Sequence, residues 1–337
     1  MNGIICLMFD VITIGTATRD AFVRSREFKT VSSPEFPTGE AMCLPAGAKI
    51  DVDDIVFATG GGATNAAVTF ARQGFQAATV CKIGHDISGR EVLSNLKSEC
   101  ISTGFAVEDE KLKTAYAILI LSSSGERTVL VYRGASEDIK VSDINPRTLN
   151  ARWFYVVGSL PLDVLRIVLD KSQEIKAKVA LNPSRSQIKL GLKGLGEVLK
   201  KLDVVIMNRE EGAYLTGVDF KREEKIFSVL DEYMKGIVVL TDGPKGVWVS
   251  DGQNIYKAGI FKERQVADRT GAGDAFGSGF VSSLISNPND IERAIKLASA
   301  NATSVVESIG AKTGILTKDN FENDTRWKDL RIENRIK

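Results

Sequence analysis

The sequence contains little of the chemistry on which metal and nucleophile enzymes usually depend. It has a single histidine, His85, and four cysteines, Cys6, Cys43, Cys81 and Cys100, none of which forms a Cys-x-x-Cys pair. Multi-histidine metal sites are therefore excluded, and the cysteine spacing is typical of reduced thiols rather than of a zinc site or a disulfide framework. No nucleophile elbow accompanies His85, so we interpret it as a turn residue rather than as a catalyst.

Other common features are also missing. No apolar run reaches membrane-spanning length, and Asp10 interrupts the apolar N-terminal stretch that leads to Gly15, which is unlike a signal peptide. Lysine and arginine number 44 against 43 aspartates and glutamates, so no overall charge favours nucleic acid or a membrane surface. The P-loop pattern Gly-x4-Gly-Lys-Ser/Thr is absent, so any nucleotide must be held by another design. We expect a cytoplasmic protein without nucleic-acid or membrane partners.

Strand and helix patterns alternate along most of the 337 residues. Buried-strand patterns such as Gln76 to Ile83, Trp153 to Val157 and Val204 to Met207 are separated by helical patterns. This alternation predicts a parallel sheet with right-handed crossovers and helices on both faces. We find no break between independent domains, and therefore predict one α/β domain spanning residues 1–337. The charged tail from Thr317 is expected at the surface.

Two segments depart from this alternation. Arg24 to Asp54 contains three prolines and has no sustained period, whereas Lys113 to Leu121 and Arg127 to Tyr132 are typical of a hairpin around a polar turn. Such short pieces are marginal alone and need a shared surface. We therefore predict that two lid segments, at approximately 16–57 and 110–135, pair into one small sheet over a substrate cleft.

The most informative stretch is Asp268-Arg269-Thr270-Gly271-Ala272-Gly273-Asp274, a glycine-rich turn that opens a helix. The N–H groups of Gly271, Ala272 and Gly273 lack helical partners and lie at the positive end of the helix dipole, which favours an anion. Asp274 would repel a resting phosphate, but it could take a proton from a hydroxyl that attacks one. The dipole also predicts a low pKa for Asp274. A capped helix, a dinucleotide-binding turn and a phosphoryl-transfer site all remain open on these residues alone.

The dinucleotide interpretation is the weakest of the three. It expects an acidic residue about 20 positions further on, at the end of a strand, where this sequence has the helical pattern Lys296-Leu297-Ala298-Ser299. A second glycine-rich turn, Gly60-Gly61-Gly62-Ala63-Thr64-Asn65, opens a helix in the N-terminal half. Glycines allow close backbone approach and amides are good partners for hydroxyl groups, although a packing turn explains the triglycine equally well.

Residues 268–276, Asp-x-Thr-Gly-Ala-Gly-Asp-Ala-Phe, resemble the C-terminal signature of the ribokinase-like (PfkB) carbohydrate and nucleoside kinases. The triglycine turn with Gly84-x-Asp86-x-x-Gly89 is similar to the family's other signature, and Asn208-Arg209-Glu210-Glu211 matches its Asn-x-x-Glu motif. The resemblance covers nearly the whole chain. It implies a ribokinase-like, mostly parallel central sheet with a small β lid, and ATP- and Mg²⁺-dependent phosphorylation of a hydroxyl group on a sugar. A nucleoside kinase of the same fold and a non-catalytic sugar- or nucleotide-binding regulator are the alternatives, and an oxidoreductase is more distant.

The resemblance also implies roles for individual residues. Asp274 would be the catalytic base, with Gly271, Ala272 and Gly273 holding the transferring phosphoryl group. The residues implied for acceptor binding are Asp20, Gly61, Gly62 and Asn65, and those implied for nucleotide binding are Asn208, Glu211, Thr241, Gly243, Gly246, Ala298 and Asn301. Glu211 would meet Mg²⁺ through water, Asp268 and Thr270 match a K⁺ site found in some members, and family members often form a homodimer through the lid.

Two positions qualify this transfer of roles. Gly62 stands where the family often has lysine, which counts against ribose as the specific acceptor. Arg133 ends the hairpin that is predicted to cover the substrate, and we include it as an acceptor-binding candidate for an anionic or hydroxyl-rich ligand. A solvated strand end explains Arg133 equally well.

Overall fold

The computed structural model of the protein describes residues 8–36, 39–121 and 127–337. The strands are β1 (Phe9–Gly15), β2 (Thr18–Arg24), β3 (Lys29–Ser32), β4 (Glu40–Cys43), β5 (Asp54–Gly60), β6 (Ala77–Gly84), β7 (Ser102–Asp109), β8 (Ala115–Leu121), β9 (Arg127–Tyr132), β10 (Ala151–Gly158), β11 (Lys178–Pro183), β12 (Val204–Asn208), β13 (Ile237–Thr241), β14 (Val247–Ser250), β15 (Asn254–Ala258) and β16 (Ile332–Ile336). The helices are α1 (Gly62–Arg72), α2 (Ile87–Ser98), α3 (Leu162–Ile175), α4 (Arg185–Ile188), α5 (Gly191–Leu199), α6 (Arg209–Thr216), α7 (Glu223–Tyr233), α8 (Ala272–Ser286), α9 (Ile291–Val306) and α10 (Lys318–Asn323).

The central sheet has the strand order β16-β15-β14-β13-β12-β11-β10-β1-β6-β7. Every pairing from β13 to β7 is parallel, and β14, β15 and β16 extend the sheet in antiparallel fashion. This confirms the predicted mostly parallel sheet. Because parallel strands point the same way, their carboxyl ends lie on one side of the sheet, where α/β proteins build their binding sites. The last residues of β1, β10, β12 and β13 meet there: Gly15, Gly158, Asn208 and Thr241.

Both faces of this sheet are covered, as predicted. Successive residues of β10 alternate between two apolar clusters: Tyr155 belongs to the cluster that contains Phe70 of α1 and Phe280 of α8, whereas Phe154 belongs to the cluster that contains Leu165 of α3 and Phe227 of α7. Full burial on both faces explains why the strands are apolar runs without polar alternation. Among the described residues, no helix is long and apolar enough to cross a membrane.

A smaller sheet has the order β5-β2-β8-β9, in which β2 and β8 are parallel and the other pairs antiparallel. Its inner face buries Phe22, Leu119 and Leu121, whereas every residue of β9 is exposed. The predicted segments 16–57 and 110–135 thus do meet in one sheet. The predicted hairpin turn at 122–126 lies outside the described residues.

Only the ends of the predicted segment Arg24 to Asp54 join that sheet. Its middle forms a separate antiparallel pair, β3 with β4, whose strands are largely exposed. The paired strands are β2 and β5, which flank the segment. Their alternating apolar residues, such as Phe22 and Val56, supply the inward face that the proline-containing middle lacks.

The C-terminal tail lies largely at the surface, as predicted, but buried aromatic side chains and a strand pairing anchor it. Phe321 and Trp327 are buried, and β16 pairs with β15 at the edge of the central sheet. Trp327 packs edge-on against Phe261 with ring centroids 5.2 Å apart. The aromatic side chains anchor the tail, although charged residues dominate its composition.

Candidate active site

The two glycine-rich turns meet at a pair of polar side chains. Asp274 lies in the first turn of α8 and Asn65 in the first turn of α1, and the Asn65 Nδ2 atom donates a hydrogen bond to Asp274 Oδ2 at 2.9 Å. Asn65 is buried, and its Oδ1 atom has no hydrogen-bond partner among the described residues. A buried acceptor without a partner is costly, so this oxygen is suited to a donor from outside the protein, such as a hydroxyl group.

Close packing brings the backbone of both turns to the Asp274 carboxylate. A Cβ atom placed on Gly62 would lie 3.3 Å from Asp274 Oδ1 and 2.7 Å from a methyl carbon of Val157. On the other side, Gly271 caps α8 with a φ of 80°, and a Cβ there would lie 2.4 Å from the Cβ atom of Ala311. A side chain at either position would displace the turns from Asp274.

The pKa of Asp274 is raised, contrary to the low value predicted from the helix dipole. Burial is the largest cause, and the hydrogen bond from Asn65 and the positive charge of Lys312 oppose it only in part. The prediction was wrong because it counted the dipole and could not count the loss of water around the carboxylate. A raised pKa makes Asp274 a stronger proton acceptor than an exposed aspartate.

Gly271, Ala272 and Gly273 form the N-terminal turn of α8, as predicted, and all three are at least partly accessible. The Ala272 N–H makes a long bond of 3.4 Å to the Arg269 carbonyl oxygen. The helix dipole and the first-turn N–H groups therefore point into accessible space beside Asp274.

Asp20 lies in the middle of β2, between Ala58 of β5 and Ala117 of β8. It is buried, it accepts a hydrogen bond from the Thr18 hydroxyl at 2.8 Å, and its burial raises its pKa. Asp20 therefore lies in the small sheet, close to the end of β5 that leads into Gly61 and Gly62. By contrast, Arg133 is exposed at the end of β9 and pairs with Glu137 at 2.9 Å, so the structure does not bring it to this group.

On the other side of Asp274, a cavity of about 270 Å³ opens between the β13–β14 turn and helices α8 and α9. Thr241, Gly243 and Gly246, the residues of this turn that were predicted to bind the nucleotide, line the cavity, and Gly273 connects it to the Asp274 turn. The sequence did not indicate the remaining lining residues, which are Pro244, Ile260, Glu263, Arg269, Ala272, Phe276, Ala302, Thr303 and Val306. The cavity is mostly apolar at the α8–α9 side.

Ala298 and Asn301 do not line this cavity. Both are fully buried, and Asn301 uses its amide group within the fold: Nδ2 donates to the Ala275 carbonyl oxygen at 2.9 Å, and Oδ1 accepts from the Leu316 N–H at 2.9 Å. They lie on the face of α9 that packs against α8, whereas Ala302 and Val306 are on the neighbouring face. The structure therefore does not bring these two predicted nucleotide-binding residues to the cavity.

Asn208 and Glu211 form a reciprocal capping box at the start of α6. Asn208 Oδ1 accepts from the Glu211 N–H at 2.8 Å, and Glu211 Oε2 accepts from the Asn208 N–H at 2.9 Å. Burial raises the pKa of Glu211. These residues line a second cavity of about 370 Å³, together with Arg185 and Lys189. The motif therefore stabilises a helix end and also presents a carboxylate to an open space.

Two buried cations near these loops carried no signal in the sequence. Arg209 bonds to Asp242 and lies 2.5 Å from Glu223, which fixes the turn that leads to Gly243. Lys312, just after the Gly310-Ala311 turn, donates to Thr59 and Asn95, and burial lowers its pKa to about 7. Arg209 is the first residue of α6 and Lys312 follows a turn, and a single basic residue at such a position gives no periodic pattern, so only the three-dimensional contacts identify either one.

The predicted cation residues lie together. Asp268 Oδ1 accepts from both the N–H and the hydroxyl of Thr270, at 3.0 and 2.7 Å, and the Arg127 guanidinium lies 3.9 Å away. Asp268 is buried and offers a carboxylate oxygen, which suits K⁺. Arg127 already supplies positive charge beside it.

Comparison with known proteins agrees with this geometry. The pfkB family carbohydrate kinase model matches residues 31–318. The chain is 29% identical over 270 residues to a ribokinase of Haemophilus influenzae, covering 77% of this chain and 85% of that protein. The structure superposes with a TM-score of 0.76 on a nucleoside kinase of Methanocaldococcus jannaschii (22% identity, 95% of this chain and 98% of that one). It superposes equally well, with a TM-score of 0.76, on an Arabidopsis thaliana ribokinase complexed with ribose and ATP (20% identity, 96% of this chain and 100% of that one). The chain belongs to the PfkB family of carbohydrate kinases, which are phosphotransferases with an alcohol group as acceptor.

Proposed function

We propose that the protein transfers the γ-phosphoryl group of ATP to a hydroxyl group of a sugar. The observation that carries this proposal is the position of Asp274. Its carboxylate is held by Asn65 of the acceptor-side turn, and the adjacent Gly273 lines the cavity on the nucleotide side. A proton acceptor between two binding regions, beside the N-terminus of a helix, is the arrangement that phosphoryl transfer to an alcohol needs.

In this mechanism, Asp274 accepts the proton of the acceptor hydroxyl as its oxygen attacks the γ-phosphorus. The bond from the γ-phosphorus to the bridging oxygen of ADP breaks, and the charge on the transferring group faces the N–H groups of Gly271, Ala272 and Gly273. Asn65 orients the carboxylate through its Nδ2 atom. The raised pKa of Asp274 brings its basicity closer to that required near neutral pH.

Asp20, Gly61, Gly62 and Asn65 would contact the acceptor. Thr241, Gly243 and Gly246 would contact ATP, and its base would enter the apolar side near Phe276 and Ala302.

Mg²⁺ would accompany the ATP phosphates, with Glu211 reaching it through water; this ion supplies neutralisation of phosphate charge. K⁺ would bind beside Asp268 and Thr270, where it would compete with Arg127. Replacing KCl by tetramethylammonium chloride in the assay measures that requirement.

The small sheet formed by β5, β2, β8 and β9 would act as the lid that excludes water. Its outer face exposes Leu130 and Tyr132 of β9, together with Phe57 and Ile118. An exposed apolar edge strand is normally covered by a partner. We propose that a second copy of the chain covers it, giving a homodimer.

A screen for acceptors tests the function. The protein is incubated with ATP and Mg²⁺, and ADP release is measured with pentoses, hexoses, keto-deoxy sugars and nucleosides in turn. We expect at least one sugar to raise ADP release well above the background without acceptor. Activity confined to nucleosides would select the nucleoside kinase instead. ATP binding without turnover of any acceptor would select the regulator, and NAD(P) binding without ATP binding would contradict the whole proposal.

A further inference from the structure

Lys312 is a buried lysine with only neutral hydrogen-bond partners. Only 7% of the residue's surface is exposed, and the Lys312 Nζ atom donates hydrogen bonds to Thr59 Oγ1 at 2.8 Å and to Asn95 Oδ1 at 3.2 Å. Within the residues that the structure describes, no carboxylate lies within ion-pair distance of it. Burying a charge without an oppositely charged partner costs stability, so packing alone does not explain a lysine at this position.

Lys82 shows what a structural buried lysine looks like in the same protein. Its ammonium group lies 3.3, 3.0 and 3.1 Å from the carboxylates of Asp109, Asp138 and Asp143. These partners raise the pKa of Lys82 to about 12, whereas burial lowers that of Lys312 to about 7. The buried charge of Lys82 is therefore neutralised by neighbouring carboxylates, whereas that of Lys312 is not.

The fold nevertheless holds Lys312 in place. The Arg72 guanidinium donates to the Lys312 carbonyl oxygen at 3.0 Å and is itself fixed by Glu99 at 2.6 Å. The preceding residue, Ala311, packs against Gly271 at the start of α8. The backbone that carries the Lys312 side chain therefore cannot shift without moving the turn beside Asp274.

The charge of Lys312 reaches both carboxylates of the site. Its positive charge opposes the burial effect on the pKa of Asp20 and also on that of Asp274. Thr59, which receives its shorter hydrogen bond, lies opposite Arg19 in the β2–β5 ladder, next to the pair of Asp20 and Ala58. Lys312 thus approaches the small sheet at Thr59, one position along β5 from the residue that pairs with Asp20.

We propose that Lys312 is a positioning residue for the acceptor: its ammonium form places a positive charge near Asp20, and its hydrogen bond to Thr59 anchors the adjacent end of β5. The Asp20 carboxylate then presents its oxygens to the acceptor hydroxyls as a fully charged hydrogen-bond acceptor. This inference rests on the proposed kinase function, because it assigns Asp20 to the acceptor.

A double-mutant cycle between Lys312 and Asp20 tests it. The wild-type protein, Lys312→Met, Asp20→Asn and the double variant are assayed at pH 6.5 with D-ribose or D-fructose, whichever the wild type phosphorylates faster. We expect Lys312→Met to raise the acceptor KM by about tenfold, as for a weakened charged hydrogen bond, while the KM for ATP changes less than about twofold. In the Asp20→Asn background, the same substitution should raise the acceptor KM by less than about twofold, since no carboxylate remains for the ammonium group to act on.

Thermal unfolding separates this role from a structural one. Thr59 Oγ1 donates to Asn95 Oδ1 at 2.8 Å, so these two groups keep each other as partners when Lys312 is replaced. We therefore expect Lys312→Met to leave Tm unchanged or higher, whereas Lys82→Met should lower it because three carboxylates lose their shared partner. If Lys312→Met does not fold, the same double-mutant cycle is measured with Lys312→Gln, which keeps hydrogen-bonding groups and removes the charge.

Equal increases of acceptor KM in both backgrounds, or an unchanged acceptor KM in Lys312→Met, would overturn this inference while the wild-type enzyme remains a kinase. A wild-type protein that phosphorylates no sugar would overturn the proposed function and this inference together.

Discussion

Replacement of Asp274 by asparagine is the most direct test of the mechanism. Asparagine has the same shape, and its carbonyl oxygen can still accept the hydrogen bond that Asn65 Nδ2 now donates to Asp274 at 2.9 Å. The change therefore removes the negative charge and the proton acceptor while leaving the contact between α1 and α8. A general base usually contributes about 10²–10⁴-fold, which is about 3–5 kcal/mol of the activation barrier. We expect kcat at saturating acceptor to fall at least about 10²-fold.

Stability should change in the opposite direction. Burial raises the pKa of Asp274 above its value in the unfolded chain, so the ionised carboxylate disfavours the folded state at any pH above the unfolded pKa. Asparagine carries no charge and removes this penalty. We therefore expect Asp274→Asn to have a Tm at pH 7.5 that is equal to or higher than that of the wild type. A large loss of activity with no loss of stability would separate catalysis from folding.

The assay measures initial rates of ADP release against ATP and acceptor, with differential scanning calorimetry for Tm. Asp290→Asn is the matched control, because Asp290 caps α9 through the Arg293 N–H at 2.8 Å and asparagine caps equally well. The control should retain kcat within about twofold. If kcat of Asp274→Asn fell less than about fivefold, far below the usual range for a base, Asp274 would not be the base.

The remaining predictions concern pH, the cavity, the lid and the assembly. The ionised form of Asp274 is the active one, so kcat should be lost as pH falls through the pKa of Asp274. An ordinary aspartate has a pKa of about 3.9. Because burial raises the pKa of Asp274, the loss of kcat should begin at a higher pH than for an ordinary aspartate. Ala302→Phe should fill part of the 270 Å³ cavity and raise the KM for ATP about tenfold or more while the acceptor KM changes little; the reverse pattern would move the nucleotide elsewhere. Acceptor binding should raise hydrogen-exchange protection in β2, β5, β8 and β9 together, and a change in only one of them would show that they do not close as a unit. Leu130→Lys on the exposed face of β9 should convert a dimer to a monomer in sedimentation experiments, and an unchanged assembly would place the interface elsewhere.

The central fold was accessible from the sequence because its signals are local and repeated. Each parallel strand is an apolar run, and each crossover helix has an apolar stripe, so neither depends on knowing its neighbours. The small sheet was harder, because β2 and β5 are recognisable as strands only once they are seen to share an inward face with β8. The aromatic anchors Phe261 and Trp327 of the tail lie 66 residues apart in a charged context and gave no periodic pattern.

Site residues in a local motif could likewise be predicted from the sequence, whereas those positioned by packing could not. Gly271 and Asp274 stand in a short motif, so their proximity is fixed by the chain itself. Asn301 was predicted to bind the nucleotide from the family resemblance, but packing against α8 sets the rotation of α9 about its own axis and turns the Asn301 amide into the fold. Lys312 could not be found at all, because its importance comes from burial and from the charge of Asp20, and neither is written in the residues beside it.

The hydrogen bond between Asn65 and Asp274 joins residues that are 209 positions apart. In the folded structure, α1 and α8 lie on a sheet in which β1 pairs with β6 and β10, so the site depends on long-range pairing rather than on local chain segments. Contacts of such large sequence separation form late and slow the folding of a protein. Recovery of kinase activity during refolding should therefore lag behind recovery of helical circular dichroism, and the enzyme's own turnover would report the last step by which the sheet is completed.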